Sequence, residues 1–137
     1  MPASDTAYSG SVPENYDRYL GPLLFEPFAR DLVSRIGSHA LPDASAPAGP
    51  DALPGTDTLR GADALRDVLE IACGTGRLTR HLQSSLPANT RLEALDLNPD
   101  MIAVARLRLP DPSIQWQIGD AQALAYPDGS FDLVICQ

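Results

Sequence analysis

Three carboxylates and two glycines carry the residue chemistry of this chain: Glu70, Asp96 and Asp120, with Gly74 and Gly76 just beyond the first of them. In Asp67-Val68-Leu69-Glu70-Ile71-Ala72-Cys73-Gly74-Thr75-Gly76, the residues Val68, Leu69 and Ile71 make a short apolar run bounded by glycines. Such a run suits a parallel strand buried on both faces. A carboxylate inside it is costly unless hydrogen-bonded or neutralised, so Glu70 points to a ligand or a cluster of donors at the strand's end. Gly74 and Gly76 let the backbone turn sharply and approach a ligand closely. From Arg77 to Leu86 the leucines at 78, 82 and 86 have helical spacing. Strand, glycine turn and helix in this order are where doubly wound α/β folds hold nucleotide-like ligands. Asp96 closes a second apolar segment, Arg91 to Asp96. An acid about 20 residues past such a turn is placed to accept from both hydroxyls of a ribose; otherwise it is an acidic loop residue before the next helix.

A dinucleotide fingerprint anchored on Gly74 and Gly76 requires a third small residue where Thr79 stands, which disfavours an NAD-dependent oxidoreductase. The stretch E-x-A-C-G-T-G instead resembles the first motif of the class I S-adenosylmethionine-dependent methyltransferases, Asp/Glu-x-Gly-x-Gly-x-Gly, with Ala72 at the first glycine. Alanine lacks glycine's freedom, and Ala72 is expected not to take a positive φ. LDLNPDMIAVAR and LAYPDGSFDLVICQ extend the resemblance over residues 67–137, and a weaker one runs through 12–36. It implies S-adenosyl-L-methionine as cofactor, bound by Glu70, Ala72, Cys73, Gly74, Gly76, Asp96, Leu97, Met101, Asp120, Ala121 and Gln137. In that reading Asp120 accepts from the adenine amino group and Ala121 offers its backbone N–H. Read from the residues alone, Asp120 caps a helix from Ala121 to Ala125, a role it could share. The Tyr-Asp-x-Tyr stretch is similar to the N-terminal cap of small-molecule methyltransferases, making Tyr16 and Tyr19 candidates to cover the site; the alternative is aromatic packing of an N-terminal helix.

The elements that must position these residues follow from periodicity. Residues 1–11 are small and polar, an expected mobile tail. Across 12–37, apolar residues at 24, 28, 32 and 36, with Phe25, Ala29 and Val33 beside them, predict an amphipathic cap helix from about Pro22 to Ile36. Pro27 requires that helix to begin near Phe25 or to kink. Residues 38–64 are rich in Ala, Pro, Gly and Asp and read as a disordered linker. Within 65–137, Asn98 and Pro99 predict a helix cap and first residue, followed by a buried stripe of Met101, Ile102, Ala105 and Leu109. Ile114, Trp116 and Ile118 alternate with glutamines, predicting a third strand with one better-buried face near the sheet edge. Phe131 to Cys136 reads as the fourth strand. The expected fold is a Rossmann-like doubly wound parallel α/β sheet, its amino-terminal half in the order 3-2-1-4, preceded by a helix.

A formal charge of −8 without a run of Lys or Arg argues against nucleic acid as a partner. No apolar stretch approaches the length of a membrane span, and the amino terminus lacks a signal-peptide pattern, so a cytoplasmic protein is expected. Cys73 and Cys136 form no disulfide framework or metal-ligand cluster, and no structural metal is expected. Under the implied strand order the two cysteines lie at the same end of neighbouring strands and are expected to approach as reduced thiols. His39 and His81 read as solvent-facing. The family's sheet has seven strands, and this sequence reaches the fourth. The expectation is therefore a methyltransferase of small molecules represented by its cofactor-binding half, with a non-catalytic or partner-binding half-domain as the alternative. Self-association through the open edge of the fourth strand is expected in either case.

Overall fold

A computed structural model describes residues 12–40 and 65–137 of the chain. The expected tail at 1–11 and residues 41–64 of the expected linker lie outside the described residues. Four parallel strands, β1 (Asp67–Ile71), β2 (Arg91–Asp96), β3 (Ile114–Ile118) and β4 (Leu133–Cys136), form one sheet in the order β3-β2-β1-β4. Helices α1 (Val12–Asn15) and α2 (Glu26–Ala40) precede the sheet, joined by π-width turns over Tyr16–Phe25; α3 (Arg77–Ser85) follows β1 and α4 (Pro99–Arg108) follows β2. As expected, β1 is central, with β3 at an edge.

Alternation along each strand separates two faces. Val68 and Glu70 of β1 stand level with Leu92 and Ala94 of β2 and with Leu133 and Ile135 of β4. That face, extended by Ile114 and Trp116, meets Leu78 and Leu82 of α3, Ile102 and Ala105 of α4 and Ala29 of α2 in one core. The opposite face carries Leu69, Glu93 and Leu95, all buried. There Tyr126 donates its phenol hydrogen to Glu93, and Phe131 meets the Tyr126 ring edge-on at 4.9 Å.

Several boundaries differ from expectation. The first strand's neighbour β4 starts at Leu133 rather than Phe131, because the Asp132 carboxylate accepts from the N–H groups of Arg66 (2.8 Å) and Asp67 (2.9 Å). Asp132 thus joins β4 to β1 through its carboxylate as well as its backbone, its N–H donating to the Asp67 carbonyl at 2.8 Å. Ile118 shares the period of Ile114 and Trp116 yet is 59% exposed, since it lies at the far end of the edge strand. In the N-terminal region Pro27 is the second residue of α2, directly after the wide turns, where the Glu26 N–H still reaches back to the Gly21 carbonyl. The helix runs to Ala40, so residues 38–40 of the expected linker are helical. Its buried face also differs: Leu24 and Phe28 are exposed, while Ala29, Leu32, Val33 and Ile36 pack on the core.

Leu82 is fully buried where α3 crosses the sheet. Leu82→Ala is expected to cost about 3 kcal/mol of stability through lost burial and a residual cavity, read as a lower denaturation midpoint in urea.

Candidate functional site

The backbone between β1 and α3 is the centre of the site. Gly74 and Gly76 have φ of 55° and 80°, and so does Ala72, at 56°. The expectation that Ala72 avoids a positive φ is therefore wrong. A left-handed alanine costs about 1–2 kcal/mol, and the surroundings fix it there. Cys73 N–H donates to the Leu95 carbonyl at 3.0 Å, tying the turn to β2, and Gly76 N–H donates back to the Cys73 carbonyl at 3.0 Å. At Gly76 a Cβ would stand 3.0 Å from the Trp116 ring, so the turn sits tightly against β3 and α4. At Gly74 a Cβ would meet nothing within 4 Å, which leaves open space beside the turn.

Asp96 lies directly against this turn. Its Oδ2 accepts from Gly74 N–H at 2.8 Å and its Oδ1 from Asn98 N–H at 2.8 Å. Asn98 in turn caps α4 through Asp100 N–H, which places Met101, Ile102 and Ala105 inward, all buried. Leu97, between Asp96 and the cap, is 65% exposed. Gly119 N–H donates to the Asp96 carbonyl at 3.0 Å, bringing the end of β3 and the following Asp120 to the same sheet end. Asp120 is exposed and folds its own loop, accepting from Gln122 N–H at its Oδ1 (2.8 Å) and from Ala123 N–H at its carbonyl (3.0 Å). No helix follows over Ala121 to Ala125; a turn takes its place, and Ala121 is exposed. Asp120 therefore acts as a turn former rather than a helix cap.

Glu70 points from β1 toward α3, not toward open solvent. It is 2% exposed, and Thr79 donates its hydroxyl hydrogen to the carboxyl at 2.6 Å. Burial pushes the Glu70 carboxyl up to about 8, opposed by the Thr79 hydrogen bond and assisted by the negative charge of Asp96. Thr79, noticed in the sequence only as a missing glycine, is the donor that this buried acid requires. Burial likewise pushes the neighbouring Cys73 thiol up, with the Glu70 and Asp96 charges adding to the effect, so it is a neutral thiol. Cys73 is buried in the core and Cys136 is exposed; both are free.

The N-terminal segment is fastened over the turn. Asp17, 5% exposed, accepts from the Thr75 hydroxyl at 2.7 Å and lies 2.9 Å from Arg77 Nε, with Arg108 as a further ion-pair partner. A Cβ on Gly21 would fall within the Arg77 guanidinium, so that residue's smallness lets the segment close. Glu26 receives Arg30, Arg77, Arg80 and His81, the last at 2.8 Å. His81 is thus a partner between α2 and α3 rather than solvent-facing. His39 and Tyr16 have side chains outside the described residues, and Tyr19 is 60% exposed and is not among the residues lining the cleft. Phe25, whose carbonyl accepts from the Gln137 side-chain amide at 2.8 Å, roofs a cleft of about 60 Å³ lined also by Glu70, Ala72, Cys73, Gly74, Thr75, Arg77, Leu78 and Gln137. Asp17 was visible only as part of the Tyr-Asp-x-Tyr stretch and Arg77 only as the start of a helix, because their pairing joins segments about 60 residues apart.

The chain matches the model of the methyltransferase domain over residues 68–137. It is 38% identical over 69 residues to the malonyl-[acyl-carrier protein] O-methyltransferase of Hahella chejuensis, a match covering 50% of this chain and 24% of that protein. It is 39% identical over 71 residues to the ubiquinone/menaquinone biosynthesis C-methyltransferase of Hydrogenovibrio crunogenus, covering 49% of this chain and 28% of the relative. Among solved structures it is similar to DesVI of Streptomyces venezuelae, with a TM-score of 0.59, 25% identity and coverage of 95% of this chain and 44% of that one. An S-adenosylmethionine-dependent methyltransferase of Clostridium acetobutylicum shares the fold at a TM-score of 0.56 and 19% identity, over 90% of this chain and 41% of that one. The matched segment thus spans about a quarter of the two curated relatives' length.

Two substitutions read this geometry. Ala72→Gly relieves the left-handed alanine and is expected to raise stability by about 0.5–1 kcal/mol in urea denaturation. For Glu70 the sign follows from its raised folded value. Between the ordinary carboxyl value and about 8 the unfolded chain has released a proton that the folded chain keeps, so stability falls as pH rises through that window. The loss is expected to be on the order of 3 kcal/mol between about pH 5 and about pH 8, and Glu70→Gln should flatten it. An equally steep profile in the variant would remove Glu70 as its source.

Proposed function

Because the chain belongs to the methyltransferase-domain family, we propose that it holds the cofactor of an S-adenosyl-L-methionine-dependent methyltransferase with a small-molecule acceptor. The observation that carries this reading is the Gly74 N–H to Asp96 Oδ2 hydrogen bond, which joins the glycine turn to the acid ending β2. It leaves Asp96 with lone pairs beside the open side of Gly74, as paired hydroxyls of a ribose require. The residues present suit the cofactor: acids for its hydroxyls and amines, exposed backbone at Ala121, and space at the turn.

In this reading Asp96 and Leu97 hold the ribose, Asp120 and Ala121 the adenine, and the cleft at Glu70, Ala72, Cys73, Gly74 and Gln137 the amino-acid end. Met101 supports the ribose side from α4, and Gly76 lets the turn approach. The bound cofactor supplies a methyl group on a positively charged sulfur that is already a good leaving group. What the chain contributes is orientation: the hydrogen-bonded turn fixes the ligand's position, and Phe25 of the N-terminal segment borders the cleft. We assign no residue a proton-transfer role, since His81 is engaged by Glu26.

The same reading places the protein in the cytoplasm, supported by two free cysteines. Among the described residues no helix is long and apolar enough to cross a membrane. Calorimetry is expected to detect S-adenosylmethionine binding and none for NAD. Asp96→Ala should weaken that binding by about 1–3 kcal/mol through lost hydrogen bonds to a charged acceptor. Equal affinity in the variant would refute the ribose assignment, and binding of NAD alone would refute the cofactor.

A further inference from the structure

A second cavity, of about 240 Å³, lies beside the first, lined by Thr75, Gly76, Arg77, Arg80, Arg108 and Leu109. Three of these six residues are arginines, in a chain whose formal charge is −8. The ion-pair cluster around it is unbalanced. Among the described residues the guanidinium groups of the lining Arg77, Arg80 and Arg108 meet only the carboxylates of Asp17 and Glu26, a surplus of one positive charge, and Glu26 is also shared with Arg30 from outside the cavity.

The three lining arginines are not equivalent. Arg77 is spent, since its side chain is 15% exposed and engages both carboxylates and the Asp17 carbonyl. Arg80 and Arg108 have side chains 53% and 43% exposed. Each makes its ion pair through one terminal nitrogen, Arg80 to Glu26 and Arg108 to Asp17. A guanidinium carries five N–H donors in a planar fork, so both retain donors suited to an oxoanion. They are also anchored: α3 and α4 fix their backbones, and the carboxylates hold one edge of each fork, which lowers the entropy lost on binding.

We propose that this cavity binds a doubly charged phosphate group, gripped by Arg80 and Arg108. Its negative charge is opposite in sign to the surplus at the lining, and its oxygens match the fork geometry of arginine. The cavity is larger than one tetrahedral anion needs and smaller than the usual range for drug-sized ligands, so the phosphate is free or borne by a small molecule. This inference does not depend on the cofactor reading, because Arg80, Arg108 and Leu109 line this cavity and not the cleft, although Thr75 and Arg77 border both.

The test is a nuclear magnetic resonance titration of the arginine Nε–H signals, with inorganic phosphate in one arm and glycerol phosphate in the other, at constant ionic strength. Saturable shifts at Arg80 and Arg108 are expected, and Arg80→Gln should weaken phosphate binding by roughly fivefold or more. That variant leaves the Asp17–Arg108 pair in place, and an unchanged melting transition shows that the fold is intact. Tighter binding of glycerol phosphate than of inorganic phosphate assigns the group to a small phosphorylated molecule; the reverse assigns free phosphate. Shifts that do not saturate, or saturable binding that Arg80→Gln leaves unchanged in a folded protein, would overturn the proposal.

Discussion

A chain leaving a buried parallel strand must reverse within a few residues without stranding its backbone groups, and the reversal from Ala72 to Gly76 meets that demand by bonding sideways. Cys73 uses the Leu95 carbonyl, Gly74 the Asp96 carboxylate and Gly76 the Cys73 carbonyl. Each bond ties the end of β1 to β2 or closes the turn on itself. The left-handed conformation at three of five positions is the cost of this geometry, and it explains why the residues on either side are so constrained. Trp116, Ala105 and Leu109 close on Gly76, so the turn's shape is also the shape of the β3 and α4 packing.

Two buried acids flank that turn and are stabilised in different ways. Glu70 is kept as a largely uncharged group by burial at neutral pH, with one hydroxyl donor from Thr79. Asp17 is surrounded by Thr75, Arg77 and Arg108, a set that compensates a carboxylate with opposite charge. The first ties α3 to the sheet and the second ties the N-terminal segment to α3 and α4. Glu26, binding Arg77, Arg80 and His81, continues that seam along α2.

What was legible in the sequence is local in origin. The bounds of β2, the Asn98 cap and the buried Met101, Ile102 and Ala105 of α4 were readable, because propensity and period agree there, whereas Leu109 of the expected stripe is the half-buried residue just past the helix. Glu70 was visible as an acid in an apolar run that calls for a ligand or a cluster of donors, but its donor Thr79 lies a full element later and could not be named from the run itself. Ala72 was misjudged because the cost of a left-handed alanine is offset by long-range bonds that no local rule contains. The same limit applies to α2, whose buried face is set by its packing on the core, and to Asp17 and His81, whose partners come from other helices.

The joint at Asp132 has a consequence for the order of folding. Its carboxylate holds the N–H of Arg66 across 66 residues, and β4 fills an edge of β1, the strand formed earliest along the chain. During synthesis β1 can pair with β2 once Asp96 has emerged, yet its other edge waits until residues 133–136 leave the ribosome. Closing so long a loop is entropically slow, and an apolar central strand bare on one side is in the meantime a template for wrong pairing. The step that completes the central strand is thus the arrival of its last neighbour, with Asp132 capturing two N–H groups at once and setting the register.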